Sequence, residues 1–214
     1  LHLLQQGKRV ALISDAGTPA IADPGYRLVR LAHQNGVRVE SLPGPCAAIT
    51  ALAGSGLPSD RFLFCGFLPA KQQARCTALQ VLADESATLI FYEAPHRLAD
   101  TVRDLADTFG GAREICLARE LSKQYETLWL TTLAELAQAL DEKRVEERGE
   151  IVLIVAGNTQ KNNDQGEDDR ILKILLAELP VKQASALTAQ ITGTSKRELY
   201  QRAVQWKTQE YDDA

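Results

Sequence analysis

Arg9-Val-Ala-Leu-Ile-Ser14, the loop Asp15-Ala-Gly-Thr-Pro19, a helical pattern opened by Asp23-Pro24, and Val37-Arg-Val-Glu-Ser-Leu42 before Pro43-Gly44-Pro45 form the stretch that decides the fold. The first segment is a short apolar run of the kind that makes a buried strand. Asp23 suits a helix N-cap, and Pro24 suits the first turn, where its missing N–H would have no partner. The helix reads through Tyr26, Leu28, Val29, Leu31 and Ala32 and stops near Asn35-Gly36. Val37–Leu42 is the next strand, and a small-residue helix follows from Ala47 to about Ala53. Strand, helix, strand and helix with short connections predict a parallel sheet with helices packed on it.

Working outward, Arg61–Phe67 reads as another strand, closed by Pro69, and a domain change is expected here. The polar stretch Lys71–Arg75 leads to a helix near Thr77–Ala83. The next block has strands at Ala87–Glu93, Glu114–Arg119, Tyr125–Leu130 and Glu150–Ala156, with a helix from Arg97 to Phe109. Glu114–Leu130 leaves no room for a helix between its strands, which predicts an antiparallel pair in a mixed sheet. Thr132 and Glu135 have the spacing of a capping box at a helix start. A polar linker is expected over 158–169, then three short helices near 170–179, 182–191 and 196–207. Gly193 turns the last two in a helix-turn-helix outline, and Ser195 with Glu198 repeats the capping box. The expected organisation is α/β: two α/β domains, 1–66 and 67–157, with mixed or parallel sheets, then the linker and a small helical domain, 170–214.

The 214 residues are 45% hydrophobic and 24% charged, ordinary for a globular protein. No apolar run approaches the roughly 18–20 residues of a membrane span, and no stretch has the order of a signal peptide. Cys46, Cys65, Cys76 and Cys116 form no C-x-x-C pair or zinc-spaced cluster, so they read as thiols in a reducing cytoplasm, with no metal. The net charge is −4, yet Arg170–Lys207 holds seven basic residues against two acidic ones. Such local basicity can position a phosphate backbone, although a solvated helix face has the same composition. Leu1–Gln6, closed by Gly7, reads as the end of a helix, and the sequence has no methionine, so a chain begun earlier is expected.

Ligands of open parallel sheets sit beyond the carboxyl ends of the strands. Two loops leave such ends: Ser14–Pro19 with Asp23-Pro24-Gly25, and Pro43–Ala48. Small residues let a ligand touch the backbone, and prolines fix the loop in advance. Asp15 can accept hydrogen bonds from a ribose or an amine, and Thr18 can donate one. Ordinary tight turns are the alternative, but two such loops on neighbouring strands favour a ligand site. No dinucleotide fingerprint, P-loop or nucleophile elbow competes. Gly54-Ser55-Gly56 reads as a helix C-cap. Phe91–Arg97 and Leu117–Lys123 each place charged residues at a strand end. Glu93, Arg97, Arg119, Glu120 and Lys123 make either a structural ion-pair network or a reactive cluster.

Ser14–Pro19, Asp23–Gly25, Leu42–Leu52, Gly56–Phe62, Gly66–Pro69, Phe91–Glu93 with Pro95–Arg97, and Ala118–Lys123 together resemble the ribosomal RNA small-subunit methyltransferase I family of the tetrapyrrole-methylase superfamily. The resemblance implies S-adenosyl-L-methionine in a cleft between two α/β domains, a homodimer, and 2′-O-methylation of a cytidine in the decoding region of 16S ribosomal RNA. It implies that Asp15, Ala16, Gly17, Thr18, Pro19, Cys46, Ala47, Ala48 and Tyr92 border the donor. Glu93, Glu120 and Lys123 become the catalytic candidates, either glutamate as general base. Arg97, Arg119, Lys182, Lys196, Arg197 and Arg202 become candidates for RNA contact. The family's Thr-Pro-Ile-Gly-Asn-Leu loop and Glu-Asp-Thr-Arg segment do not occur here, so part of the cleft is expected to be missing. A corrin or porphyrin precursor methylase and a non-catalytic RNA- or ribosome-binding module are the alternatives. The basic C-terminal helices disfavour the first of these.

Overall fold

The computed structural model describes the backbone of residues 1–158 and 165–212 and the side chains of 1–158 and 168–206. The chain divides into two compact units, Leu1–Thr159 and Gln160–Ala214. The first holds helices α1 (His2–Gln5), α2 (Tyr26–Gln34), α3 (Ala47–Ser55), α4 (Gln72–Leu82), α5 (Leu98–Phe109) and α6 (Leu133–Asp141), with a 3-10 turn at Pro95–Arg97. It also holds strands β1 (Phe62–Phe67), β2 (Thr88–Glu93), β3 (Glu114–Arg119), β4 (Thr127–Thr132) and β5 (Ile151–Val155).

The strands form one sheet in the order β1-β2-β5-β3-β4. β1 and β2 are parallel, and the other neighbours are antiparallel. The three inner strands are near-continuous apolar runs because both their faces are covered. Leu89, Phe91, Leu117 and Leu153 meet Leu79, Leu98, Leu105 and Leu136 of α4–α6 on one face. Ile90, Cys116, Val152 and Ile154 meet Ala48, Ala51 and Leu52 of α3 on the other. Each fully buried leucine or phenylalanine contributes about 1.5–3 kcal/mol. Thr132 caps α6 as expected, accepting the Glu135 N–H at 3.2 Å. The Glu135 carboxylate binds Thr131 rather than completing the box.

Several expectations change. Arg9–Ser14 and Val37–Leu42 are not strands: neither joins a ladder among the described residues, and Ile13 is 84% and Leu42 81% exposed. An apolar run becomes a strand only where a neighbour takes up its backbone groups. Asp23 does not cap α2. The helix starts after Gly25, whose carbonyl accepts from Leu28 and Val29. β1 belongs to the five-stranded sheet, which therefore begins before the expected boundary at 66/67. α4 begins at Gln72, inside the stretch read as polar lead-in, because Arg75 pairs with Asp104 of α5 at 2.6 Å, both side chains buried.

The second unit packs α7 (Gln165–Glu178), α8 (Val181–Thr192) and α9 (Lys196–Asp212) around Leu172, Ala184, Leu199 and Ala203. α7 starts within the expected linker 158–169, much of which (159–164) lies outside the described residues. Buried Asp168 holds that early turn by accepting from Thr194 Oγ1 at 2.7 Å. Carboxylates also favour a helix N-terminus electrostatically. Ser195 is at the start of α9, where its carbonyl accepts from Leu199. The Lys207 side chain lies outside the described residues.

Candidate active site

The parallel strands β1 and β2 end where β5 begins, and a cleft of about 680 Å3 opens there. Its walls are the 12–24 loop, Cys46-Ala47 at the start of α3, Phe67, the turn Tyr92–Pro95, and Gly149–Val152. Local bonds set the loops. Ser14 Oγ donates to the Ala16 carbonyl, and Thr18 Oγ1 donates to the Pro45 carbonyl at 2.9 Å, tying the first loop to the second. Ala20 and Ala22 adopt positive φ, a strain common at functional sites.

Tyr92 joins the two walls. Its hydroxyl accepts the Ala48 N–H at 3.2 Å, satisfying a helix-start donor that no side chain of α3 caps. Its ring meets Phe64 and Phe67 edge-on, with centroids 5.0 and 5.6 Å away. Burial pushes the Tyr92 hydroxyl above its ordinary pKa, so it stays protonated at neutral pH.

Strand alternation separates Tyr92 from Glu93. Tyr92 packs with the α3 side and Glu93 turns beneath α5. There the Glu93 carboxylate accepts from the Ala94 N–H at 2.7 Å and Thr101 Oγ1 at 2.6 Å, and pairs with Arg97 at 3.2 Å. Arg97 also donates to the Leu68 carbonyl. These two candidates are thus engaged with one another inside the protein.

Of the other expected residues, Asp15–Thr18, Cys46 and Ala47 line the cleft, while Pro19 and Ala48 are not among its lining residues. Glu120 and Lys123 form a cluster at its rim. Lys123 Nζ lies 2.9 Å from Glu120 Oε1 and 3.2 Å from Glu150 Oε2, and Glu120 also accepts the Glu150 N–H. The lysine and that N–H hold the Glu120 carboxyl below its usual range, and Glu120 holds the Lys123 ammonium above its own. Arg119 donates to Thr127 on the opposite face. In the second unit Lys182, Lys196 and Arg197 are exposed, whereas Arg202 is engaged by Asp169 and Glu198.

Sequence reasoning missed Phe67, Gly149, Glu150 and Val152. The signal available was the Gly-Glu pair before a wholly apolar strand. Gly149 has φ +83°, and a Cβ there would sit 2.3 Å from Glu120 Oε1. Gly149→Ala is expected to cost about 1–2 kcal/mol for the left-handed backbone alone. It also displaces Glu120 from Lys123. A thermal melt lower by roughly 2–8 °C checks this.

The cleft's charges have one sign. Asp15, Asp23 and Glu150 present carboxylates to it, with no lysine or arginine among the lining residues. Glu93 lines it only by its backbone side, its carboxylate buried against Arg97, and Lys123 stands near the rim beside Glu150. Carboxylates beside apolar Ile13, Ile21 and Phe67 suit a ligand with an apolar heterocycle and positive charge. Among the described residues no three His, Cys, Asp or Glu gather to hold a metal ion.

A family model described as Tetrapyrrole (Corrin/Porphyrin) Methylases matches residues 1–137, and one described as RsmI C-terminal HTH domain matches 162–207. The chain is 53% identical over 205 residues to the ribosomal RNA small subunit methyltransferase I of Pseudomonas aeruginosa, covering 94% of this chain and 73% of that protein. To the protein of the same name in Pasteurella multocida it is 49% identical over 200 residues, covering 92% and 71%. Among solved structures it resembles the methyltransferase CobJ, with a TM-score of 0.54 and 19% identity, covering 73% of this chain and 68% of that one. That likeness concerns the fold.

Proposed function

Since this chain belongs to the ribosomal RNA small subunit methyltransferase I family, with the tetrapyrrole-methylase fold, we propose that it methylates the 2′-hydroxyl of a cytidine in the decoding region of 16S ribosomal RNA, using S-adenosyl-L-methionine, as a cytoplasmic homodimer. The observation that carries the donor assignment is the cleft lining, which has carboxylates and no basic side chain. The acceptor rests on kinship with proteins named for small-subunit ribosomal RNA.

S-adenosylmethionine, when bound, supplies an electrophilic methyl group on a positively charged sulfur. Asp15 and the backbone of Ala16–Thr18 and Cys46–Ala47 hold the donor. Tyr92 fixes the start of α3 against the sheet, and so fixes the distance between the walls. The chief work left to the protein is alignment of oxygen, methyl and sulfur. The Glu93 carboxylate is sealed by Arg97, Thr101 and Ala94, so its role is to hold the 94–97 turn in place. Glu120 is the better-placed candidate to receive the hydroxyl proton, because it stands at the rim beside Glu150. The Lys123 ammonium holds Glu120 and can face a ribose or phosphate oxygen. Exposed Lys182, Lys196 and Arg197 on α8 and α9 supply backbone contacts to RNA.

The test is transfer of labelled methyl to 16S RNA and to assembled small subunits by the full-length protein, with the product mapped by resistance of the 2′-O-methylated site to alkaline cleavage. Label at a ribose 2′-oxygen supports the reading, and transfer to a base or to a porphyrin precursor alone overturns it. Glu120→Gln is expected to lower kcat while leaving the donor Kd unchanged. A parallel loss of donor binding would remove Glu120 from the proton role.

A further inference from the structure

On the sheet face opposite α3, a second cavity of about 360 Å3 is lined by Leu117, Arg119, Thr127, Trp129, Arg144 and Val145, with Glu146 beside them. Strand register builds it. Leu117 faces Trp129 and Arg119 faces Thr127 across the β3–β4 pair, so all four side chains share one face. The other wall is the chain leaving α6. It is turned back by bonds from Lys143 N–H to the Leu140 carbonyl and from Arg144 N–H to the Ala139 carbonyl. Leu117, Trp129 and Val145 pack on the main core and give the cavity an apolar floor. Arg119 and Arg144 bring two guanidiniums to its rim, Arg144 through a 2.6 Å pair with exposed Glu142 that a phosphate would have to compete with. The Arg119 side chain is only 11% exposed, yet its contacts are one hydrogen bond to Thr127 and a 3.7 Å approach to exposed Glu146.

We infer that this cavity is a nucleotide subsite, in which an unstacked RNA base lies against the Trp129 indole and its phosphate meets Arg119 and Arg144. Single-stranded RNA is held by this combination, because every base has a π face and every linkage carries a negative charge. Position supports the assignment, which rests on the RNA reading above. Arg119 pairs in register with Ile151, and Ile151 lines the donor cleft. The two cavities therefore open at the same end of β3 and β5, on either side of the Glu120–Lys123–Glu150 cluster. One RNA strand crossing that end places a ribose at the cleft and a neighbouring base on Trp129. The cavity thereby selects the flanking nucleotide and not the one modified.

The experiment uses full-length protein carrying Trp206→Phe, which leaves Trp129 as the only tryptophan within the present sequence. A single-stranded pentaribonucleotide with a central cytidine is the probe. Binding is expected to quench Trp129 emission, and Trp129→Ala is expected to weaken RNA binding about tenfold while S-adenosylmethionine affinity is unchanged. Trp129→Phe should restore part of the loss. Absent quenching, or wild-type RNA affinity in both Trp129→Ala and Arg119→Ala, overturns the subsite. If Trp129→Ala also loses donor binding, Arg144→Glu decides, because that side chain is 56% exposed on the rim. A rim variant with normal RNA affinity then sinks the inference. Equal quenching by an acidic peptide would assign the cavity to a protein partner and overturn it as well. Failure of methyl transfer by a protein that still binds RNA at Trp129 would instead strike the proposed function and leave the subsite standing.

Discussion

Asp15→Ala is expected to raise the dissociation constant for S-adenosylmethionine roughly ten- to hundredfold, the usual loss for one hydrogen bond to a charged group. Asp15 stands in the loop that Ser14 and Thr18 hold in shape, on a lining with no basic residue. Its carboxylate can meet the donor's ammonium or ribose. Asp15→Asn keeps an acceptor and removes the charge, so it should fall between wild type and alanine. Titration calorimetry in low and high salt separates the contributions, since screening weakens the charge term at an exposed site. S-adenosylhomocysteine has lost the positive charge on sulfur, and the one-signed lining predicts a smaller penalty for it from Asp15→Asn. Unchanged donor affinity in Asp15→Ala would remove this loop from the donor site.

The second large effect is on stability. Asp104→Ala is expected to destabilise the first unit by about 3–5 kcal/mol, because it leaves a buried guanidinium without its partner. Arg75 and Asp104 are both under 5% exposed and meet at 2.6 Å. Gln72 Nε2 also donates to Asp104, and Arg75 donates to the Ala70 carbonyl. The melting temperature should fall by roughly 6–20 °C at the usual 2–4 °C per kcal/mol. The double variant Arg75→Met with Asp104→Leu should recover most of that, as apolar replacements of buried ion pairs commonly do. A double variant as unstable as the single would show that shape, and not the stranded charge, carries the effect. α5 also supplies Thr101 to Glu93, so a loosened α5 reaches the cleft through the 94–97 turn.

Where burial on both faces dictates composition, the sequence was readable. Thr88–Glu93 and Glu114–Arg119 are apolar between polar ends and Ile151–Val155 is apolar throughout, and each forms within a residue or so of its expected bounds. Thr132 and Gly56 ended or began helices as their chemistry requires. Segments whose state depends on a neighbour were not readable. Arg9–Ser14 and Val37–Leu42 have strand composition but no ladder partner among the described residues. The Arg75–Asp104 pair was hidden because 29 residues separate two charges that only folding brings together. In the site, the two loops were legible through glycine and proline. Gly149–Val152 was not, since nothing local says that β5 inserts beside β2. The opposite fates of Tyr92 and Glu93 follow from the two-residue period of a strand, which sends neighbouring side chains to opposite faces.

β5 is the last strand of the sheet to be synthesised, yet it occupies the middle of the order β1-β2-β5-β3-β4. Once the chain to Leu140 has emerged from the ribosome, both flanking pairs, β1 with β2 and β3 with β4, are free, but the strand that joins them is not. Translation at about 5–20 residues per second leaves those halves waiting with open inner edges until residue 155 clears the exit tunnel. Pairings this distant in sequence are slow to form. The nascent chain therefore passes through a stage in which the β2 and β3 edges that β5 will close are unpaired. The cleft wall at Gly149–Val152 comes into being only with that closing step, so the cleft is among the last features of the unit to be completed.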